Sequence, residues 1–199
     1  MKMEIISVFG FHEALLGIGL SYGITSPYTF SEFYHSSGEY DKVRKIAMKL
    51  SQKGGGEDKF LRQIVVYLDV NAPMYWWKQA DTYKVGTVAQ SESTMHTLMR
   101  YEITQNCFEH PIFPDTLKHL EGLRKDKQFK QLVNELPSGW LQRRILSMNY
   151  AVIKNILLQR YNHKLPEWRY FCDYLLNHLP WPKLLPEVRG TCQETSDDV

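Results

Sequence analysis

The alternation of apolar and polar residues divides this chain into a first part with strands and a later part that reads as mostly helical. Residues 3–9 form a short apolar run that predicts a strand. Leu15, Leu16 and Ile18 recur at helical spacing within residues 11–22, and Gly17 and Gly19 weaken that helix. Residues 26–37 make a connection containing Pro and Ser. A helix follows over 40–52: Val43, Ile46, Ala47 and Leu50 share one face, with Lys42, Arg44, Lys45 and Lys49 outward. Gly54, Gly55 and Gly56 end it. No G-K-[ST] follows them, so a helix stop is the better reading than a phosphate-cradling loop. Ile64, Val65, Val66, Tyr67 and Leu68 are β-branched or apolar throughout, which predicts a mostly buried strand.

The stretch 70–96 organises the rest. Ala72 and Pro73 stop the strand, Tyr75, Trp76 and Trp77 predict a short aromatic helix, and a polar run follows. That run holds Lys84, Gly86, Thr87, Gln90, Ser91, Glu92, Ser93, Thr94 and His96 as a hydroxyl-rich loop, a plausible wall for a ligand. Beyond it, residues 94–101 begin a helix and 108–114 form a Pro-bounded loop. Asp115 and Thr116 cap a helix running toward 136, with Leu117, Leu120 and Leu123 at helical spacing. Pro137, Ser138 and Gly139 break the chain. Leu141, Ile145, Met148, Val152 and Ile156 then predict the longest helix, 140–161. Pro166 opens a last helix over 166–179. After Pro180 the periodicity is lost. The expectation is one α+β domain over 1–185 and a flexible tail over 186–199, its last ten residues disordered.

Composition narrows the function. Hydrophobic content of 43% and charged content of 23% suit an ordinary soluble domain. Aromatics reach 13%, which suits a flat-ring ligand or an aromatic interface as well as an aromatic core. A net charge of +2 makes no case for nucleic acid or a membrane surface. No apolar run approaches the ~18 residues of a membrane span. Cys107, Cys172 and Cys192 are too few and scattered for a disulfide framework, so a cytoplasmic setting is expected. The histidines form no H-x-x-x-H pair, and no metal is expected. Cys107 and His110 lack a third partner for nucleophilic catalysis. Asn149 and Arg160 lie eleven residues apart, close to three helical turns. On one helix face they would offer an amide and a guanidinium to a flat, oxygen-bearing ring; two surface polar residues are the equal alternative.

Residues 56–96 and 136–168 resemble the flavin-dependent thymidylate synthases. In that family a strand ends in a pair like Ala72 and Pro73, and a helix carrying a Gln, here Gln79, comes next. The signature R-H-R-x-x-S-x-N-x-x-S-x-R then falls without gaps on residues 82–94. The family's later Leu-Pro, two Asn and Arg fall on Leu136, Pro137, Asn149, Asn155 and Arg160. The resemblance implies a thymidylate synthase complementing protein-like fold, a small antiparallel sheet packed with several helices. It implies a homotetramer with FAD at a subunit interface. The activity implied is reductive methylation of deoxyuridine monophosphate to thymidylate, using methylenetetrahydrofolate and NADPH. Carried over residue by residue, Tyr83, Lys84, Thr87, Asn149 and Asn155 would hold FAD. Gln79, Gln90, Ser91, Ser93 and Arg160 would face the substrate, with Arg160 as the catalytic residue that polarises the pyrimidine.

The departures are specific. The signature's first Arg and its His are Thr82 and Tyr83, its second Arg is Lys84, its Asn is Ala89, its second Ser is Glu92 and its last Arg is Thr94. A family Arg before Leu-Pro is Val133. A phosphate without its bidentate arginines loses bonds of ~1.5–3 kcal/mol each. Two other readings therefore stay open. One is a non-catalytic or re-purposed protein on the same scaffold, binding a less phosphorylated ligand or serving assembly. The other is an unrelated helical interaction module.

Overall fold

The computed structural model describes residues 1–188. In chain order the elements are β1 (Lys2–Phe9), α1 (Phe11–Ser21), α2 (Phe30–His35), α3 (Ser37–Ser51), β2 (Val65–Pro73), α4 (Met74–Ala80), β3 (Thr87–Ser91), α5 (Thr94–Thr97), α6 (Pro114–Lys125), α7 (Phe129–Glu135), β4 (Leu141–Asn149), α8 (Tyr150–Arg160) and α9 (Pro166–His178). The strands form one small antiparallel sheet in the order β1-β2-β4-β3. The α+β expectation holds.

The long helix expected over 140–161 does not exist as one element. Its first nine residues are β4, and the helix α8 starts only at Tyr150. Inside β4 the buried residues Gln142, Leu146 and Met148 alternate with more exposed ones, a period near two that the choice of Leu141, Ile145 and Met148 concealed. Asn149 marks the boundary. Its Oδ1 accepts the Val152 N–H at 3.0 Å, which makes it the N-cap of α8 rather than a residue on the helix face. The helix expected over 115–136 is likewise two, α6 and α7, separated at Lys127, which takes a left-handed φ of 57°. Part of the expected hydroxyl-rich loop is strand β3, and a short helix, α2, interrupts the expected connection 26–37. Of the expected tail, residues 189–199 and with them Cys192 lie outside the described residues, while Val188 is buried.

Contacts group the chain into two compact units that interleave in sequence. The first holds Met1–Glu4, Leu68–Lys84 and Val88–Leu146. Its core gathers Leu98, Ile103, Phe108, Leu120, Leu123 and Leu132. The aromatic block seen in sequence is buried here: Trp76 and Trp77 meet edge to face at 4.8 Å. Pro73 leads straight into α4, and the turn before β4 satisfies that helix's first N–H groups. Met74 donates to the Trp140 carbonyl and Tyr75 to the Ser138 carbonyl, each at 3.0 Å.

Among the described residues the second unit holds Ile5–Tyr67, Val85–Thr87 and the chain from Ser147 onward. The apolar face of α3 is buried at Val43, Ala47 and Leu50, with Lys42, Lys45 and Lys49 exposed, as the spacing predicts. Gly10 begins α1 at φ 88°, and a Cβ there would lie 2.1 Å from the Gln63 carbonyl oxygen, so only glycine fits. Lys154 of α8 staples the end of α3. Its half-buried ammonium donates to the carbonyls of Ser51 (2.6 Å) and Lys53 (2.8 Å) and to Asp58 Oδ2 (2.7 Å). Tyr150 donates its hydroxyl proton to the Pro180 carbonyl, and burial pushes its pKa well above the tyrosine range.

Candidate functional site

The residues singled out by the signature fall into both units, and each group has its own geometry. In the first unit, Gln79 sits half-buried near the end of α4, and its carbonyl accepts both the N–H (3.1 Å) and the hydroxyl (2.7 Å) of Thr82. Tyr83 is half-buried and Lys84 exposed. Gln90 and Ser91 are exposed on the edge strand β3. Ser93 is the N-cap residue of α5, although its side chain makes no capping bond; its carbonyl accepts the Thr97 hydroxyl at 2.9 Å.

A network that joins Trp77 and Glu92 to Asp69, Asp81, Gln142, Arg143 and Arg144, five residues not singled out from the sequence, surrounds the end of β3. The Trp77 indole N–H donates to the Gln142 carbonyl at 2.9 Å. The Arg144 guanidinium lies 4.3 Å over the Trp77 ring, donates to Asp81 at 2.8 Å, and reaches the Gln142 side-chain oxygen at 3.0 Å. The Gln142 amide in turn donates to the Glu92 carbonyl at 3.1 Å, and the Glu92 N–H donates to the Arg143 carbonyl at 2.8 Å. Arg143 forks onto Asp69, with Nε at 2.8 and 3.0 Å from the two carboxylate oxygens. Those bonds hold the Asp69 carboxyl below its ordinary value although burial pushes the other way. The reading of 140–161 as a helix hid both arginines. Read as a strand, β4 offers Arg143 opposite Asp69 of β2 as a cross-strand ion pair.

In the second unit the structure brings Gly86, Thr87 and Asn149 together at the start of α8. Gly86 has φ 80°, and a Cβ there would lie 2.7 Å from Asn149 Nδ2 and 3.0 Å from a Val152 methyl. Beside it, Thr87 Oγ1 is buried and meets no hydrogen-bond partner among the described residues. A buried polar atom without a partner is uncommon enough to require an explanation. Asn155 lies farther along α8, exposed, accepting from the Gln159 amide at 2.8 Å. Arg160 ends α8 with its guanidinium 5.2 Å from the ring of buried Trp168. Burial, and then the Arg160 charge, push the His163 pKa below its ordinary value.

Neither cysteine of the described residues is prepared for catalysis. The Cys107 thiol lies against the Thr104 hydroxyl (3.8 Å) and the Glu102 carbonyl (3.9 Å), not against His110. Burial and then Asp173 push the Cys172 thiol up to about 12, where thiolate is negligible at neutral pH. Among the described residues no group of His, Cys, Asp or Glu could hold a metal ion, and no helix is long and apolar enough to cross a membrane.

The architecture matches solved structures closely. The chain aligns with flavin dependent thymidylate synthase ThyX from Helicobacter pylori complexed with FAD and dUMP at TM-score 0.70, over 90% of this chain and 94% of that one, at 14% identity. A second structure of that protein with FAD and dUMP gives TM-score 0.70 at 13% identity, covering 92% and 95% of the two chains. The UMP/dUMP methylase PolB from Streptomyces cacaoi, bound with 5-Br dUMP, gives 0.63 at 11% identity, covering 93% of this chain and 91% of that one. No protein-family model and no curated protein matches the sequence. At these identities the likeness shows the fold: this chain has the fold of the flavin-dependent thymidylate synthases.

Proposed function

We propose that this protein is a diverged member of the flavin-dependent thymidylate synthase superfamily that binds a flavin and a pyrimidine nucleotide-class ligand. The observation that carries the reading is the fold match at TM-score 0.70 over nine-tenths of the chain, to a protein held with FAD and dUMP. The orphaned Thr87 hydroxyl, next in the chain to the glycine that closes on Asn149, supports it, because a buried hydroxyl without a partner suits the polar edge of a flavin ring. Asn155 joins them in this role. In the first unit Tyr83 and Lys84 are assigned to the cofactor by the resemblance alone, Lys84 being the signature's one remaining cation toward a pyrophosphate. On the same reading Gln79, Gln90, Ser91 and Ser93 are the first unit's candidates for contact with the substrate, and Arg160 is the second unit's candidate for polarising a pyrimidine carbonyl through its planar guanidinium. A bound flavin would supply hydride and carry the methylene group, with NADPH as reductant and methylenetetrahydrofolate as donor; the chain's own groups bind and orient.

Assembly with further copies, as a homotetramer, belongs to the same reading and rests on the resemblance. The test combines a visible spectrum of the purified protein with rescue of a thymidine-requiring bacterium. A flavin band with rescue establishes the synthase. A flavin band without rescue supports the second reading, a re-purposed binding protein on the same scaffold, which the loss of the signature arginines favours. A colourless protein that fails to rescue sinks the flavin assignment.

A further inference from the structure

The turn that joins α8 to α9 in the second unit is held by a titratable ring. Residues 161–165 lie between Arg160, which ends α8, and Pro166, which begins α9. Half-buried His163 ties this turn on both sides. Its backbone N–H donates to the Arg160 carbonyl at 3.1 Å, and its ring Nδ1 accepts the Leu165 N–H at 3.1 Å. Leu165 is the N-cap residue of α9, and no side chain of its own caps that helix. A ring nitrogen that accepts a hydrogen bond carries no proton, so the imidazole here is neutral, with its proton on Nε2. The imidazole and the Arg160 guanidinium both lie against buried Trp168, the ring edge to face at 6.4 Å and the guanidinium at 5.2 Å. Arg160 is the charge from α8 that acts on His163, lowering its pKa after the larger effect of burial. α9 turns the Trp168 ring toward it; of the charged groups in that helix's first turn, Glu167 is buried and Arg169 lies 6.0 Å over the Tyr161 ring. Lys164, next in the turn, is exposed.

We propose that His163 is a positioning residue for Arg160 and works as a pH latch. Neutral, it closes the turn and leaves the guanidinium on Trp168. Protonated, it has only donors, so it gives up the Leu165 N–H and repels Arg160. Burial and Arg160 lower the folded value from 6.5, so the latch is closed above pH 6.5 and opens as pH falls below it. Its effect on a ligand rests on the reading that Arg160 faces a pyrimidine.

Tryptophan fluorescence of the full chain, followed from about pH 8 to about pH 5, reads the latch without any ligand. A protonated imidazole quenches an indole that it faces, so the native protein is expected to show a transition below pH 6.5. His163→Asn offers an acceptor that does not titrate, and it should fold like the native protein by circular dichroism and lose that transition. This variant also separates the signal from that of His12 against Trp181. Arg160→Gln removes the neighbouring charge and should move the midpoint up toward 6.5. The same transition in His163→Asn, or a midpoint that Arg160→Gln leaves unmoved, overturns the latch; were His163→Asn not to fold, the Arg160→Gln shift decides. Calorimetric titration with dUMP at about pH 7.5 and about pH 5.5 then tests the link to the ligand. The native protein is expected to lose about threefold more affinity on acidification than His163→Asn, the size of a unit-charge repulsion over about 6 Å in water-like surroundings. Equal losses overturn the positioning of Arg160 for the ligand. No binding of dUMP to either protein, with the fluorescence transition intact, overturns the pyrimidine reading and leaves the latch standing.

Discussion

Single residues at the start of α8 carry the sharpest local constraints. Gly86 needs glycine twice over, for its left-handed φ and for the 2.7 Å that a Cβ would leave to Asn149 Nδ2. Gly86→Ala should therefore cost about 1–3 kcal/mol in chemical denaturation. An unchanged midpoint would show that the strand can withdraw from Asn149. The sequence showed Gly86, Thr87 and Asn149 as candidates but not as neighbours. Sixty-odd residues separate them in the chain, and no local periodicity encodes that approach. Glu121 illustrates a different kind of constraint. Arg124, gripping it at 2.6 and 2.7 Å, is the largest cause that lowers its pKa from 4.5 to about 2. Because the folded value is depressed, the pair stabilises fully above pH 4.5, and that contribution fades as pH falls from 4.5 toward 2. Acid titration followed by circular dichroism should show the native protein losing stability through that window, and Glu121→Gln losing less of it.

At the level of elements, helices with a clean polar and apolar division were legible and boundaries between unlike elements were not. The outward lysines of α3 and the proline at the start of α9 gave both helices away. The passage from β4 to α8 stayed hidden because Leu141, Ile145, Met148, Val152 and Ile156 happen to keep a helical spacing across it. Asn149, an amide side chain well suited to capping, was the one local sign of the change. What holds α8 in place is tertiary. Lys154 gives its three ammonium protons to Ser51, Lys53 and Asp58, far away in sequence. Lys154→Met keeps the stem and removes the donors, leaving Asp58 and the two carbonyls without them. Its expected cost is about 2–4 kcal/mol by urea denaturation. A loss under ~0.5 kcal/mol would mean that water replaces the ammonium without penalty.

For the molecule as a whole, native mass spectrometry reports assembly and cofactor in one measurement. The expected species is a tetramer carrying flavin; a bare monomer would remove both the assembly and the cofactor site proposed from the fold. The sequence by itself determined the α+β class, most helices, the aromatic block and the erosion of positive charge along residues 82–94, because each is a property of residue type and local spacing. It also carried the resemblance that the fold bears out. Only the tertiary structure decided that β4 is a strand, since a neighbouring strand, not the segment's own pattern, satisfies its backbone. Only there does it emerge that Arg143 and Arg144 are paired with Asp69 and Asp81. The physical reason is the same in each case. Pairing across a sheet joins groups that lie far apart in the chain, so a sequence can name the charges and still be silent on which of them cancel.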